Sequence, residues 1–177
     1  MNIKQFRIIC KVSSVLLKLT AAFMTIVVIT SLFTYFFTDR NIWFNLTIPD
    51  FTFYNAMRGP MEETDRQMAA LIELPFTSLQ GIYIFWKGSQ LFKYLSEGHS
   101  PFVFEFAQSI KRLGIILILS DILLPLFRSL LVTIIMEGSY YLIVGVGSSL
   151  VIGLILYAVS EIFNYGIELQ KLSDETV

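Results

Sequence analysis

Residues Gly138–Ser160 read GSYYLIVGVGSSLVIGLILYAVS, 23 consecutive positions without a charged side chain. An α-helix needs about 20 apolar residues to cross the ~30 Å hydrocarbon core of a bilayer, so this stretch predicts a membrane span. Working outward, Leu113–Met136 is a second such run, interrupted only by Asp121 and Arg128. Leu19–Thr38 is a third, preceded by Lys4, Arg7, Lys11 and Lys18. Met68–Trp86 is the weakest, carrying Glu73, Pro75 and Gln80. It counts as a span because three would leave the chain ends on opposite sides and strand the apolar Leu79–Trp86, Leu91 and Phe92 in a loop. The expectation is one membrane domain over 1–177, with spans at about 12–38, 68–94, 113–136 and 138–163. An outer loop 39–67, a cytoplasmic loop 95–112 and a cytoplasmic tail 164–177 complete it.

Composition agrees. The chain is 55% hydrophobic and only 15% charged, where soluble domains carry roughly 25% charge. A soluble domain of this size could not hide so much apolar surface, and disorder is excluded more firmly still. A formal net charge of -1 supplies no basic field for direct nucleic-acid binding. One cysteine, Cys10, excludes an intramolecular disulfide, and one histidine, His99, excludes the usual zinc sites. With the N-terminus inside, 9 of the 13 Lys and Arg residues fall on the cytoplasmic side and 4 on or near the outer side. Both termini are therefore expected in the cytoplasm. The first apolar run is longer than a signal-peptide core and has no small-residue cleavage site after it, so it reads as a retained span.

Between the spans, Ile42–Ile48 and Phe51–Tyr54 look like short strands of a hairpin around Pro49-Asp50. Such a hairpin is marginal alone and would have to rest on helix ends or the interface. On the cytoplasmic side Ser100 is placed as an N-cap with Pro101 as first helical residue. Phe102, Phe106, Ile110 and Leu113 then recur at helical spacing, which suits a helix lying in the interface; one long projecting helix is the alternative. The expected fold class is an all-α integral membrane protein, a four-transmembrane-helix bundle with a small extracytoplasmic β-hairpin or loop and a short cytoplasmic interfacial helix.

Charged residues inside a span are costly, about 2.5–3.5 kcal/mol each on insertion scales, and usually face protein or water. Asp121 and Arg128 lie seven residues apart on one helical face, with Pro125 between them freeing a backbone carbonyl. Glu73 falls at a similar depth to Arg128, so these two can pair. The structural interpretation is an ion pair that sets helix register; the functional one is a proton or ion relay, or a polar ligand pocket. Glu161 sits near the inner end of the fourth span, within reach of Lys18, Lys87 or Lys93. Gly145, Ser149 and Gly153 form a small-residue row suited to close helix packing. No phosphate-binding glycine loop, no nucleophile with a base and no metal-spaced ligand cluster occurs, so neither catalysis, a metal nor a cofactor is expected.

Gly98-His99-Ser100-Pro101-Phe102, followed by Ile110-Lys111-Arg112-Leu113-Gly114, resembles the G-x-P-F and l-r-x-G stretch of a family of bacterial four-span membrane proteins. The ending Gly166-Ile167-Glu168-Leu169-Gln170 through Asp174-Glu175-Thr176-Val177 resembles the family's G-x-x-L-Q and D-x-T-V terminus. The family is the YoaS-like proteins, domain of unknown function 2975. Lys171-Leu172-Ser173 departs from its pattern where an acidic pair precedes the aspartate. The resemblance implies a bacterial plasma-membrane protein with four helices, no established activity and no catalytic residues to carry over. Its members look like neighbours of small helix-turn-helix regulators, which implies a membrane partner in a regulatory pair.

Two functions follow as expectations. The first is a non-enzymatic regulatory or sensory membrane protein whose cytoplasmic face docks a cytoplasmic regulatory protein. Gly98, Pro101, Phe102, Gly166, Leu169, Gln170, Asp174 and Thr176 are the docking candidates. The second is a small transporter or permeation unit using Glu73, Asp121 and Arg128. Four helices are few for a monomeric pathway, so it would require a homo-oligomer. The lipid bilayer is the partner common to both.

Overall fold

A computed structural model describes residues 3–37, 50–59, 63–135 and 140–175, without the side chains of Tyr35, Phe36, Glu63, Thr64, Arg66 and Asp174. The elements in order are α1 (Ile3–Phe37), β1 (Phe51–Arg58), α2 (Glu63–Ser96), α3 (Phe104–Ile135), β2 (Tyr140–Val146) and α4 (Ser148–Glu175). All four helices are long and apolar enough to cross a membrane. The chain is a multi-pass membrane protein by that criterion.

The helices pack in sequence order, α1 on α2, α2 on α3 and α3 on α4. In the most apolar window of α2 and of α3, 22% of residues are buried, against 11% in α1 and α4, so the middle pair forms the centre. Small and hydroxyl side chains make each approach, as expected where lipid removes the hydrophobic drive between helices. Ser14 donates to the Ser89 carbonyl at 2.9 Å and Ser89 donates back to the Ser14 carbonyl at 3.0 Å, zipping α1 to α2. Ala69 and Val132, both 0% exposed, bring α2 onto α3. A Cβ on Gly114 would lie 2.7 Å from the Gly153 carbonyl oxygen, and one on Gly153 would lie 2.8 Å from that of Gly114. The α3–α4 crossing therefore depends on two glycines meeting backbone to backbone.

Residues 97–103 return the chain beside its own N-terminus. Gly98 has φ 90°, a left-handed conformation that favours glycine, and its backbone sits against the Arg7 guanidinium. Ser100 does not cap a helix. Its Oγ accepts from the Phe102 amide at 3.2 Å in a local turn, and helical bonding begins where the Val103 carbonyl accepts from Phe106 and Ala107. From Phe104 the helix runs unbroken to Ile135, so the separate interfacial helix is absent and the single long helix is what forms. Nothing between Phe104 and Leu113 breaks a helix, and Gly114 alone is tolerated.

The larger correction is at the other end. The apolar run Gly138–Ser160 is not one helix: Tyr140–Val146 is a strand, and α4 starts only at Ser148. β2 pairs antiparallel with β1, from Phe51 opposite Val146 to Arg58 opposite Tyr140, with an irregularity between Thr52 and Tyr54. Phe51–Tyr54 is thus a strand as expected, but its partner comes from far along the chain; the other expected strand, Ile42–Ile48, lies outside the described residues. Tyr140-Tyr141-Leu142-Ile143-Val144-Gly145-Val146 is rich in aromatic and β-branched residues and carries a helix-weakening glycine.

β2 lies along the last turns of α3. The Tyr141 amide donates to Thr133 Oγ1 at 3.0 Å, and Thr133 donates back to the Tyr141 carbonyl at 2.9 Å. The Ile143 amide donates to Ser129 Oγ at 2.9 Å. Four helical residues rise about 6 Å and two strand residues about 6.6 Å, so hydroxyls at Ser129 and Thr133 meet alternate residues of the strand. In this way the backbone groups of Tyr141 and Ile143 that face α3 are bonded.

Candidate functional site

Below the sheet, a cavity of about 520 Å³ opens between the helices at the point where β2 gives way to α4. That volume lies in the range of small-molecule sites, roughly 300–1,000 Å³. The start of α4 forms one wall. Helix N-termini leave backbone N–H groups without intrahelical partners and carry partial positive charge. Two carboxylates answer them. Asp121 Oδ2 accepts from the Gly147 amide at 2.5 Å, and Asp50 Oδ2 accepts from the Ser148 amide at 2.7 Å. A Cβ at Gly147 would stand 2.8 Å from Asp121 Oδ1, so glycine is what lets the carboxylate reach the backbone.

Asp121 is nine residues from Arg112, about 14 Å at ~1.5 Å per residue, and the α4 N-terminus shares its level. That places both about 12 Å beyond Leu113, where the apolar run of α3 begins. Gln80 on α2 donates to Ser120 Oγ across the cavity rim. Met24, Phe85 and Leu124 supply apolar wall.

Arg128 lines the same cavity and binds Glu73, as expected from their depths. Its Nε donates to Glu73 Oε2 at 2.7 Å and its Nη2 to Oε1, and each residue is only 4% exposed. This fork fixes α2 against α3. The third nitrogen, Nη1, is buried without a hydrogen-bond partner, alone in that respect among the buried side-chain nitrogens and oxygens of the described residues. With Arg128 committed to Glu73, the carboxylates of Asp50 and Asp121 leave the cavity short of positive charge. The arrangement suits a small ligand that brings hydrogen-bond donors or a positive charge.

Other candidates take different places. Glu161 pairs with Lys111 at 2.6 Å, not with Lys18, Lys87 or Lys93, because α3 is the helix against which α4 packs. Gly145 lies in β2, buried opposite Thr52, so the small-residue row on α4 reduces to Ser149, which lines the cavity, and Gly153 at the glycine crossing. Gly166 and Phe102 face each other: a Cβ on the glycine would lie 2.9 Å from the ring. Phe102 and Phe106 also meet Phe163 edge to face, at 5.7 and 5.6 Å between centroids. Gly98 and Pro101 both lie in the 97–103 connection. Leu169 and Gln170 are exposed; the Asp174 side chain and Thr176 lie outside the described residues.

Asp50, Ser129 and Thr133 were not legible as site residues. Asp50 reads as half of a Pro-Asp turn, and its partner Ser148 is 98 positions away. Ser129 and Thr133 stand four apart on one helical face, a signal that has meaning only once a strand is known to lie beside them. Among the described residues no three His, Cys, Asp or Glu side chains gather in a way that could hold a metal ion. Comparison with known proteins finds no matching family model, curated protein or solved structure.

Proposed function

We propose that this chain is a non-enzymatic membrane regulator, in which the cavity below the sheet receives a small ligand and α4 transmits its occupancy to a cytoplasmic docking end. The observation that carries this reading is the course of α4. It begins with its amides held by Asp121 and Asp50 in the cavity wall and continues without a break to Glu175. Gly166 already lies level with Phe102, ahead of the first residue of α3. The nine residues 167–175 therefore extend about 14 Å beyond that point at ~1.5 Å per residue. Ile162, Tyr165 and Leu169 are 67%, 63% and 49% exposed and recur three and four apart, an apolar stripe leading onto the projecting end. The excess of Lys and Arg around the termini supports a cytoplasmic position for that end, and the resemblance to YoaS-like proteins supports a bacterial plasma membrane and a regulatory partner.

Gly98, Phe102 and Gly166 have contacts within the chain, so the docking surface rests on Leu169, Gln170 and the stripe beside them. A photoreactive residue at position 169 in native membranes tests it. A single cytoplasmic protein, crosslinked in proportion to the membrane protein and lost with Tyr165→Asp, is the expected result. Asp121→Asn should change its yield without changing the amount of folded protein.

A second reading is a small oligomeric permeation unit. It is favoured by one observation, the N-terminus of α4 ending beside a cavity that Asp121 and Arg128 line, an arrangement that transporters use. It requires flux in proteoliposomes that Asp121→Asn or Arg128→Gln abolishes in folded protein. Absence of any crosslinked partner together with such flux would replace the first reading by the second.

A further inference from the structure

A second cleft lies on the opposite half of the molecule, between α2 and α3, with a volume of about 120 Å³. Lys87 and Arg112 face it from the two helices, with Ser109 and Tyr83 adding hydroxyls and Leu91 and Leu113 apolar contact. No carboxylate lines it. Glu161, the acidic residue closest in level, is committed to Lys111, which lies under α4. Lys87 Nζ has a neutral partner, the Gln90 side-chain oxygen at 3.2 Å. Two cations thus converge on one small cleft without an anion of the described chain to neutralise them.

Their height identifies the anion. From Leu74 to Trp86 α2 carries no charge, and from Leu113 to Ser120 neither does α3. Lys87 and Arg112 stand where both apolar runs end, the level at which a bilayer covering those runs would place its phosphates. Leu17 packs at Gly88, which puts Lys18 of α1 at the same level. The cleft holds roughly four times a water molecule's ~30 Å³ share of liquid, room for a phosphate group but not for a large ligand. Basic pockets between spans at the membrane surface bind anionic headgroups, and guanidinium–phosphate bonds are among the stronger hydrogen bonds.

We infer that the Lys87–Arg112 cleft is a phosphate site for an anionic phospholipid, whose headgroup bridges α2 and α3 at the membrane surface. The full chain, purified in detergent and titrated with phosphatidylglycerol or phosphatidylcholine under native mass spectrometry, tests this. Phosphatidylglycerol should bind about tenfold tighter or more: both lipids carry the phosphodiester, but the choline cation of phosphatidylcholine cancels its net charge and is repelled by Lys87 and Arg112. Lys87→Gln with Arg112→Gln, two exposed positions, should abolish the preference, while Lys93→Gln, which removes an exposed partner of Glu97, should leave it intact. Equal binding of the two lipids to the unaltered chain would overturn the inference, and that arm needs no variant to fold. A preference that survives in the folded double variant would overturn it too. Displacement of the lipid by millimolar inorganic phosphate would keep the oxyanion site and assign it to soluble phosphate.

Discussion

Glu73 and Arg128 are both 4% exposed and share two hydrogen bonds, so the pair is best judged by what each partner leaves behind when the other is removed. Breaking a buried pair costs about 3–5 kcal/mol, because one charge stays uncompensated in a low-dielectric site, whereas replacing both partners by apolar residues is often near neutral. Glu73→Gln should therefore lower unfolding stability in micelles by about 3–5 kcal/mol, and Glu73→Leu with Arg128→Met should recover most of it. If the double variant is as unstable as the single, the pair has a role beyond charge compensation. This pair was legible in the sequence because both residues sit inside apolar helices, where counting turns gives depth. The Asp50–Ser148 bond was not legible, since neither residue stands out locally and nothing in either neighbourhood refers to the other.

At the scale of elements, β2 depends on α3 as much as on β1. Hydroxyls of Ser129 and Thr133 bond the backbone of Ile143 and Tyr141 on the side away from β1. Removing both, by Ser129→Ala with Thr133→Val, leaves those amides without partners, at about 1–3 kcal/mol for each group left unsatisfied. Hydrogen exchange should then speed up at Tyr141 and Ile143 while amides in the middle of α1 stay protected. Unchanged exchange at both would mean that the β1 ladder alone holds the strand. A run of apolar residues is compatible with a span, a buried strand or half of each, because hydropathy measures transfer from water and carries no information about the hydrogen-bonding partner. That is why 138–160 reads as a single helix and folds as strand followed by helix.

For the whole molecule, the consequence of starting α4 level with Asp121, partway along α3, is mechanical. Its N-terminus is tied to α3 through Asp121 and to the β1 side through Asp50, and about one and a half turns further on it crosses α3 at Gly114 and Gly153. A helix anchored above a tight crossing pivots about it. Asp121→Leu frees the upper end. The distance distribution between spin labels at positions 93 and 169, measured by pulsed electron resonance, should broaden or shift in that variant. Leu169→Asp, tested with the second label moved to position 170, should leave it unchanged. An identical distribution in the Asp121→Leu variant would show that the helix end and the cavity are uncoupled, leaving the crosslinked partner, if any, independent of the site.

The sequence by itself determined that four helices are long and apolar enough to cross a membrane, that Phe51–Tyr54 is extended, and that Glu73 and Arg128 can meet. Each of these rests on properties summed along a short stretch of chain: apolar length, β-propensity, and depth counted in helical turns. Only the tertiary structure decided that Tyr140–Val146 within the last apolar run is a strand, that Asp50 and Asp121 hold the start of α4, and that a cavity lies beneath them. The reason is that a backbone amide away from water must find an acceptor wherever one is brought to it. For Ser148 that acceptor comes from a residue 98 positions earlier, a relation that exists only after the chain has folded.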